Sequence, residues 1–150
     1  MANSKGITLS VLLVSMFFLI TACADSAPSE ELAKETLSYE ARGCPGCFEI
    51  VKYKKTNGIK NGITYQEYFA CMIEFKKDCY VFKDYSSPSQ TFSELKHLID
   101  KDSFRNPDHG VLINSGDRYV MSGIIYFVKT EKGWMPSKRS PELEKVFQYK

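Results

Sequence analysis

The chain has 150 residues, a formal net charge of +2 and 25% charged residues. This length suits one ordinary domain, and the basic and acidic residues are interspersed without a long block of one sign. Nucleic-acid-binding proteins carry a clustered basic face, so we expect no nucleic-acid partner. An aromatic content of 13% predicts a packed fold, because disordered chains are poor in aromatic residues.

The first residues have the pattern of an export signal. Lys5 is followed by an uncharged stretch whose apolar centre, Ile7 to Ile20, is 14 residues long. A membrane-spanning helix needs about 20 such residues. One positive charge, a short apolar run and small residues at its end are typical of a secretory signal peptide. A retained transmembrane anchor is the alternative.

The end of this stretch, Ile20-Thr21-Ala22-Cys23, resembles the lipobox of bacterial lipoprotein precursors. The resemblance implies that residues 1–22 are removed and that acyl chains are attached to Cys23. Each buried CH₂ of such a chain contributes about 0.8 kcal/mol to membrane binding. We therefore expect a lipidated cysteine and tether at 23–28 and a single domain at 29–150. The alternative is an ordinary signal peptide, with Cys23 in a disulfide.

The residue after the cysteine bears on sorting between membranes. In Gram-negative lipoproteins, the resemblance implies, Asp directly after the lipidated cysteine retains the protein at the inner membrane. Here that residue is Ala24, and Asp25 comes one place later. For a Gram-negative host we expect the outer membrane, with the domain facing the periplasm.

The first half of the domain predicts a helix and two strands. Ser29 to Glu40 has a modest apolar stripe at helical spacing, with acidic residues in its first turn. Phe48 to Tyr53 is a strand pattern, and residues 56–62, with two Asn-Gly pairs, predict a loop. Tyr65 to Phe75 alternates strictly and places Glu67 on the same face as Phe69 and Cys71, which indicates a half-buried strand.

The second half predicts one more helix and several strands. Cys79 to Phe82 either continues the preceding strand or begins a short neighbour. The sequence Thr91-Phe-Ser-Glu94 matches a capping box, which predicts a helix from Phe92 to Lys101. Val111 to Asn114 is a short strand and Tyr119 to Thr130 a central one. Trp134 and Met135 begin an edge piece.

This order of elements predicts an α+β fold: a curved antiparallel sheet of about four strands with one or two helices packed on it, braced by disulfides. The order, together with the phrase Phe75-Lys-Lys-Asp-Cys79-Tyr80, resembles cystatin-like and NTF2-like domains of small lipoproteins. That resemblance implies a shape and no catalytic motif.

The cysteine count bears on the disulfides. The chain has five cysteines, and an odd number in an exported protein needs an explanation. Lipid on Cys23 leaves an even set, which most simply forms two disulfides in an oxidising compartment. The disulfide candidates are Cys44, Cys47, Cys71 and Cys79.

Two pairings of these cysteines stay open. The turn Pro45-Gly46 would allow a local Cys44–Cys47 bond. If instead Lys55 faces Ile63 in a hairpin, Cys47 faces Cys71 and leaves Cys44 for Cys79. We favour this cross-hairpin pairing, because the longer closed loop stabilises more.

Catalytic and metal-binding patterns are weak. The Cys44-Pro-Gly-Cys47 motif follows a helix and precedes a strand, the reverse of the order in thiol oxidoreductases. His97 and His109 could add zinc ligands, but a second close cysteine pair is missing, so we expect no metal and no cofactor. Asp108-His109 lacks a nucleophile motif and is interpreted as a turn.

The sequence therefore predicts a membrane-anchored, non-catalytic envelope protein that binds a protein or a cell-wall component, and not an enzyme. An inhibitor or immunity protein against a hydrolase or toxin is the second hypothesis, since a rigid domain loses less entropy on binding. A CxxC redox protein is the third. The larger aromatic residues are interpreted as the sheet core and its margins, with a binding surface as the alternative: Tyr65, Tyr68, Tyr80, Tyr126 and Trp134.

Overall fold

The computed structural model describes residues 26–82 and 94–149. The first described element is an α-helix, α1, at Glu30–Glu40. Ser29 caps it, because its side chain accepts a hydrogen bond from the backbone N–H of Leu32 at 3.2 Å. Ala33 and Leu37 face the core. The predicted helix from Ser29 to Glu40 is confirmed, whereas Thr91 of the predicted capping box lies outside the described residues.

Eight strands follow. They are β1 (Phe48–Asn61), β2 (Thr64–Phe75), β3 (Cys79–Phe82), β4 (Leu98–Asp100), β5 (Gly110–Ile113), β6 (Arg118–Thr130), β7 (Gly133–Pro136) and β8 (Glu142–Tyr149). Single turns of 3₁₀-helix lie at Leu95–His97, Lys101–Ser103 and Pro107–His109. The fold is α+β and built on antiparallel sheets, as predicted.

Five strands form the larger sheet, sheet A, in the order β1-β2-β6, and both β7 and β8 pair with the remaining edge of β6. The central pair, β2 and β6, stays in register without a bulge from Thr64 opposite Val128 to Glu74 opposite Arg118. The register of β1 shifts at two places, between Ile50 and Lys52 and between Lys55 and Asn57. Sheet A is open, with β1 at one edge.

The pleat of β2 and β6 divides sheet A into two faces, because successive side chains of a strand point to opposite sides. On the inner face, alternate residues of both strands are buried, among them Phe69 and Ile125, and they share a core with Leu37 of α1. The outer face consists of the residues between them, which are half-buried.

The smaller sheet, sheet B, has the order β4-β3-β5. One residue from each of its strands, Leu98, Val81 and Ile113, is fully buried in the same core as the inner face of sheet A. Sheet B thus covers the part of the core that lies beyond the end of β2, from which β3 follows after a short connection.

Two predictions about the elements were wrong, and one strand was missed. A helix was expected from Phe92 to Lys101. From Leu95 onward the chain instead forms a 3₁₀ turn and the strand β4, because residues 98–100 pair with β3. The loop expected at 56–62 belongs mostly to β1, and the chain turns at Gly62-Ile63. The sequence pattern also missed β8, which lies on the edge of β6.

Within the described residues, no helix combines the length and the apolar character needed to cross a membrane.

Candidate functional site

The CxxC motif forms a tight turn at the end of α1. The N–H of Cys47 donates a hydrogen bond to the carbonyl of Cys44 at 3.1 Å, and Gly46 between them has a φ of +66°. These are the features of a type II turn, in which the third residue is normally glycine. The N–H of Lys76 then donates to the carbonyl of Cys47 at 2.7 Å, which holds the turn against the end of β2.

This turn brings Cys44 and Cys47 together with Cys79 at the start of β3. The three sulfur atoms lie within 4.8 Å of one another, and all three residues are buried. Cys47 is the central member, because its thiol hydrogen-bonds with both of the others. Cys71 is also buried but lies on the inner face of β2, outside this group. The three residues are named the cysteine cluster below.

The surroundings of these thiols oppose ionisation. Burial raises the pKa of Cys44 to about 12, and the nearby Cys47 adds to the effect. The pKa of Cys47 is raised further, first by its hydrogen bond with Cys79 and then by burial. Burial alone raises the pKa of Cys71 to about 12. The thiolate is the nucleophile of a thiol redox enzyme. Because their pKa values are raised, these thiols are poor nucleophiles at neutral pH.

In the predicted cross-hairpin pairing, the Cys47–Cys71 pair was wrong, whereas the other two members, Cys44 and Cys79, lie together in the cysteine cluster. Cys71 faces Tyr53 across the hairpin, and the residue next to Cys47, Phe48, faces Phe75. Cys47 is therefore near one end of β2, and Cys71 lies about 13 Å away along the strand from Phe75. No disulfide is present among the described cysteines. The cluster can form one disulfide, and Cys71 has no partner for a second one among the described residues.

The cysteine cluster is also the group of described residues whose spacing could hold a metal ion. Neither histidine joins it. His97 lies in a 3₁₀ turn with its Nε2 atom 3.8 Å from a carboxylate oxygen of Glu94, and His109 is exposed in another 3₁₀ turn. In an oxidising compartment, neighbouring thiols form a disulfide more readily than a metal site.

A second buried group, which the sequence pattern did not reveal, surrounds Glu67 on the inner face of β2. Glu67 is 1% exposed. The hydroxyl of Tyr53 donates a 2.6 Å hydrogen bond to its Oε1 atom, and the Nζ atom of Lys55 lies 3.4 Å from Oε2. The Lys55 ammonium also lies 4.6 Å from the centre of the Tyr65 ring. A buried carboxylate needs such partners to remain charged.

The pKa values around Glu67 follow from this geometry. Burial and the hydrogen bond to Glu67 raise the pKa of Tyr53. Burial opposes the charged form of Lys55, but its hydrogen bond with Tyr65 and the charge of Glu67 outweigh that effect and raise its pKa. The group therefore holds a neutral phenol beside an ion pair. Its contacts are internal to the hairpin, so it stabilises the sheet.

The outer face of sheet A has an apolar centre. Rows of facing residues run across the strands, and in one of them Met72, Val120 and Phe147 follow one another from β2 to β8. Two rows further along the same face, Tyr68 on β2 faces Ile124 on β6. Phe147 is 50% exposed, and the others are half-buried. No described element packs over these side chains.

Lysines flank this apolar centre on both sides. Lys54 faces Ala70, which faces Ser122, which faces Lys145, so one row of four strands begins and ends with a lysine. Lys52 extends the basic edge on β1. These three lysines form no ion pair with any described residue. The face is thus apolar in the middle and has a lysine without an ion pair in the same row at each margin.

A pocket of about 440 Å³ adjoins the outer face near the end of β6. Tyr126 lies in its wall, and the guanidinium of Arg139 stacks on the Tyr126 ring at 4.0 Å from its centre. Arg139 also pairs with Glu142. Tyrosine and arginine are enriched at protein interfaces, where they supply large contact areas.

Of the five aromatic residues singled out in the sequence, Tyr68 and Tyr126 lie on this face, and Tyr65 and Trp134 pack together on the other at 5.7 Å between ring centres.

Comparison with known proteins gives no relative: no protein-family model, no curated protein and no solved structure matches the chain.

The cysteine geometry predicts one disulfide per chain. After oxidation with diamide, denaturation and alkylation, the wild-type protein should carry two alkyl groups within residues 26–82 by peptide mass spectrometry, one on Cys71 and one on the unpaired member of the cluster. The variant Cys71→Ser should carry one, because the disulfide is retained. A wild-type protein with no alkylated cysteine would have two disulfides and would contradict the geometry.

The Glu67 group predicts a stability effect. Tyr53→Phe removes the hydrogen bond to a buried carboxylate and should lower the free energy of unfolding by about 1–3 kcal/mol at pH 7. Tyr39→Phe, at a position 67% exposed on α1, is the matched control and should change it little. Urea unfolding followed by tryptophan fluorescence measures both.

The same pair of variants tests the pKa of Tyr53. The raised pKa means that the unfolded chain loses this proton first, near pH 10, so the stability due to Tyr53 is present below that pH and declines above it. Tyr53→Phe should therefore flatten the loss of stability above about pH 10. A decline as steep as that of the wild type would argue against a buried neutral phenol.

Proposed function

We propose that this protein is an exported envelope lipoprotein, anchored to a membrane through Cys23, which binds a protein partner on the outer face of sheet A and performs no catalysis. The observation that carries the proposal is the contrast between the two faces. The reactive groups, namely the cysteine cluster and Glu67, are buried, whereas the apolar outer face is left uncovered by the described residues.

The chemistry of the outer face suggests the chemistry of its partner. An interface of this kind has an apolar centre containing aromatic and methionine side chains and a polar rim. Here the rim carries Lys52, Lys54 and Lys145 without internal ion pairs. A partner with an apolar centre and acidic margins would complement both features, and the charges would speed association.

The alternative functions receive less support. A CxxC redox enzyme conflicts with buried thiols of raised pKa. A long exposed loop with acidic residues would favour the inhibitor hypothesis, but residues 57–62 belong mainly to the β1–β2 hairpin. A partner that is a secreted hydrolase or toxin would nevertheless restore it, so the identity of the partner decides between an accessory and an immunity role.

Photocrosslinking in the native host tests the binding face. A photoreactive phenylalanine derivative at Tyr68, on the outer face, should crosslink to one envelope protein in living cells. The same residue at Tyr39, exposed on α1, should not capture that protein. The double variant Lys52→Glu/Lys54→Glu should weaken the Tyr68 crosslink, and Lys34→Glu on α1 should not. A partner captured equally from Tyr39, or none from Tyr68, would contradict the proposed face.

The anchor is tested separately by the intact mass of the purified protein. We expect cleavage before Cys23 and added acyl chains, and Cys23→Ala should abolish both. In a Gram-negative host, Ala24→Asp should move the protein from the outer to the inner membrane fraction. A mature protein that begins elsewhere, without acyl chains, would contradict the anchor, and an unchanged distribution of Ala24→Asp would contradict the sorting.

A further inference from the structure

The described chain begins at one end of sheet A, beside β7. The carbonyl of Ser26 accepts a hydrogen bond from the indole N–H of Trp134. Pro28 is buried, and Ser29 caps α1. Residues 26–29 are therefore fixed to the domain. If Cys23 carries the lipid, only Ala24 and Asp25 separate it from Ser26, and an extended chain over these three residue steps spans at most about 11 Å.

Exposed apolar side chains gather at this same end. Ile63, in the β1–β2 turn, is 64% exposed, and Ile59 on β1 is 46% exposed. Met135 on β7, next to Trp134, is 47% exposed. The N–H of Lys129 on β6 donates a 2.7 Å hydrogen bond to the carbonyl of Ile63, which holds the turn beside the end of β6. The set Ile59, Ile63, Trp134 and Met135 is named the apolar rim.

Basic residues stand next to the apolar rim. Lys60 and Lys132 are exposed in and beside the two turns. The Nζ atom of Lys129 lies 5.8 Å from the centre of the Trp134 ring. Glu131 is the acidic residue of the β6–β7 turn. Apolar residues, a tryptophan and lysines are the combination found where proteins enter the interface of an anionic bilayer.

We propose that the apolar rim rests in the headgroup region of the bilayer that holds Cys23. The inference rests on the proposed lipid anchor and goes beyond it, because it orients the domain. The short tether cannot lift the rim far from the lipid. The strands of sheet A then stand upright on the membrane, the outer face points sideways, and the cysteine cluster lies at the far end of β2.

Trp134, the one tryptophan of the chain, reports directly on this geometry. The lipidated, mature protein is reconstituted in vesicles of phosphatidylcholine and phosphatidylglycerol, with or without acyl chains brominated near the glycerol. Bromine quenches tryptophan only at short range. We expect vesicles with brominated lipid to quench most of the Trp134 fluorescence that is seen in vesicles without bromine. The protein in detergent without brominated lipid should keep its full emission.

Two matched variants locate the contact. Ile63→Glu places a charge in the apolar rim and should reduce the quenching. Phe147→Glu places the same charge at a similarly exposed position (50% against 64%) at the opposite end of the sheet, and should leave the quenching unchanged. Circular dichroism checks that both variants are folded.

The outcomes separate the inference from the anchor. A protein that carries acyl chains by mass, but whose Trp134 is not quenched, would overturn the orientation and leave the anchor intact. Equal quenching of Ile63→Glu and the wild type would also overturn it. A protein without acyl chains would overturn the anchor and the inference together. A photoreactive residue at Met135 that captures a protein in cells, and not lipid, would assign the rim to a protein partner.

Discussion

The pairing of β2 with β6 is the constraint on which the rest of the structure depends. Eleven successive residues of β2 face β6 without a bulge, so every side chain of the pair is assigned to one face or the other. A slip of β2 by one residue would turn its side chains to the opposite faces, placing Phe69 in water and Tyr68 in the core. The buried row of large residues makes that exchange costly, because each of them loses about 1.5–3 kcal/mol when exposed.

The same assignment explains the unusual position of Glu67. Its place in the alternation directs it to the core, and the carboxylate is kept there by groups from the neighbouring strand, the Tyr53 hydroxyl and the Lys55 ammonium. Both partners depend on the register of β1, which shifts between Lys55 and Asn57. Removal of either partner leaves a buried charge short of contacts, which costs more than the contact itself contributes.

The sequence predicted what local patterns control. Alternation identified β2 and most of β6 and the face on which Glu67 lies, and the apolar stripe with acidic residues in the first turn identified α1. It failed where distant pairing decides. Leu95 and Leu98 have helical spacing, yet β3 draws Leu98 into a sheet. Two Asn-Gly pairs compete as the hairpin turn, and the second, at Asn61-Gly62, prevails. This turn places Cys71 opposite Tyr53 and away from Cys47. The other three described cysteines form the cysteine cluster, which sequence spacing does not reveal.

The proposed orientation and the proposed binding face constrain each other. If the apolar rim rests on the bilayer, the row from Lys54 to Lys145 lies at the level of Ser122, eight residues along β6 from its membrane end at Thr130. That distance is about 27 Å. The outer face then points along the membrane plane, and its lysines stand well beyond the Debye length of about 8 Å from the lipid headgroups. They are therefore free to attract an acidic protein surface at that height, whereas Lys60 and Lys132 at the rim meet anionic lipid.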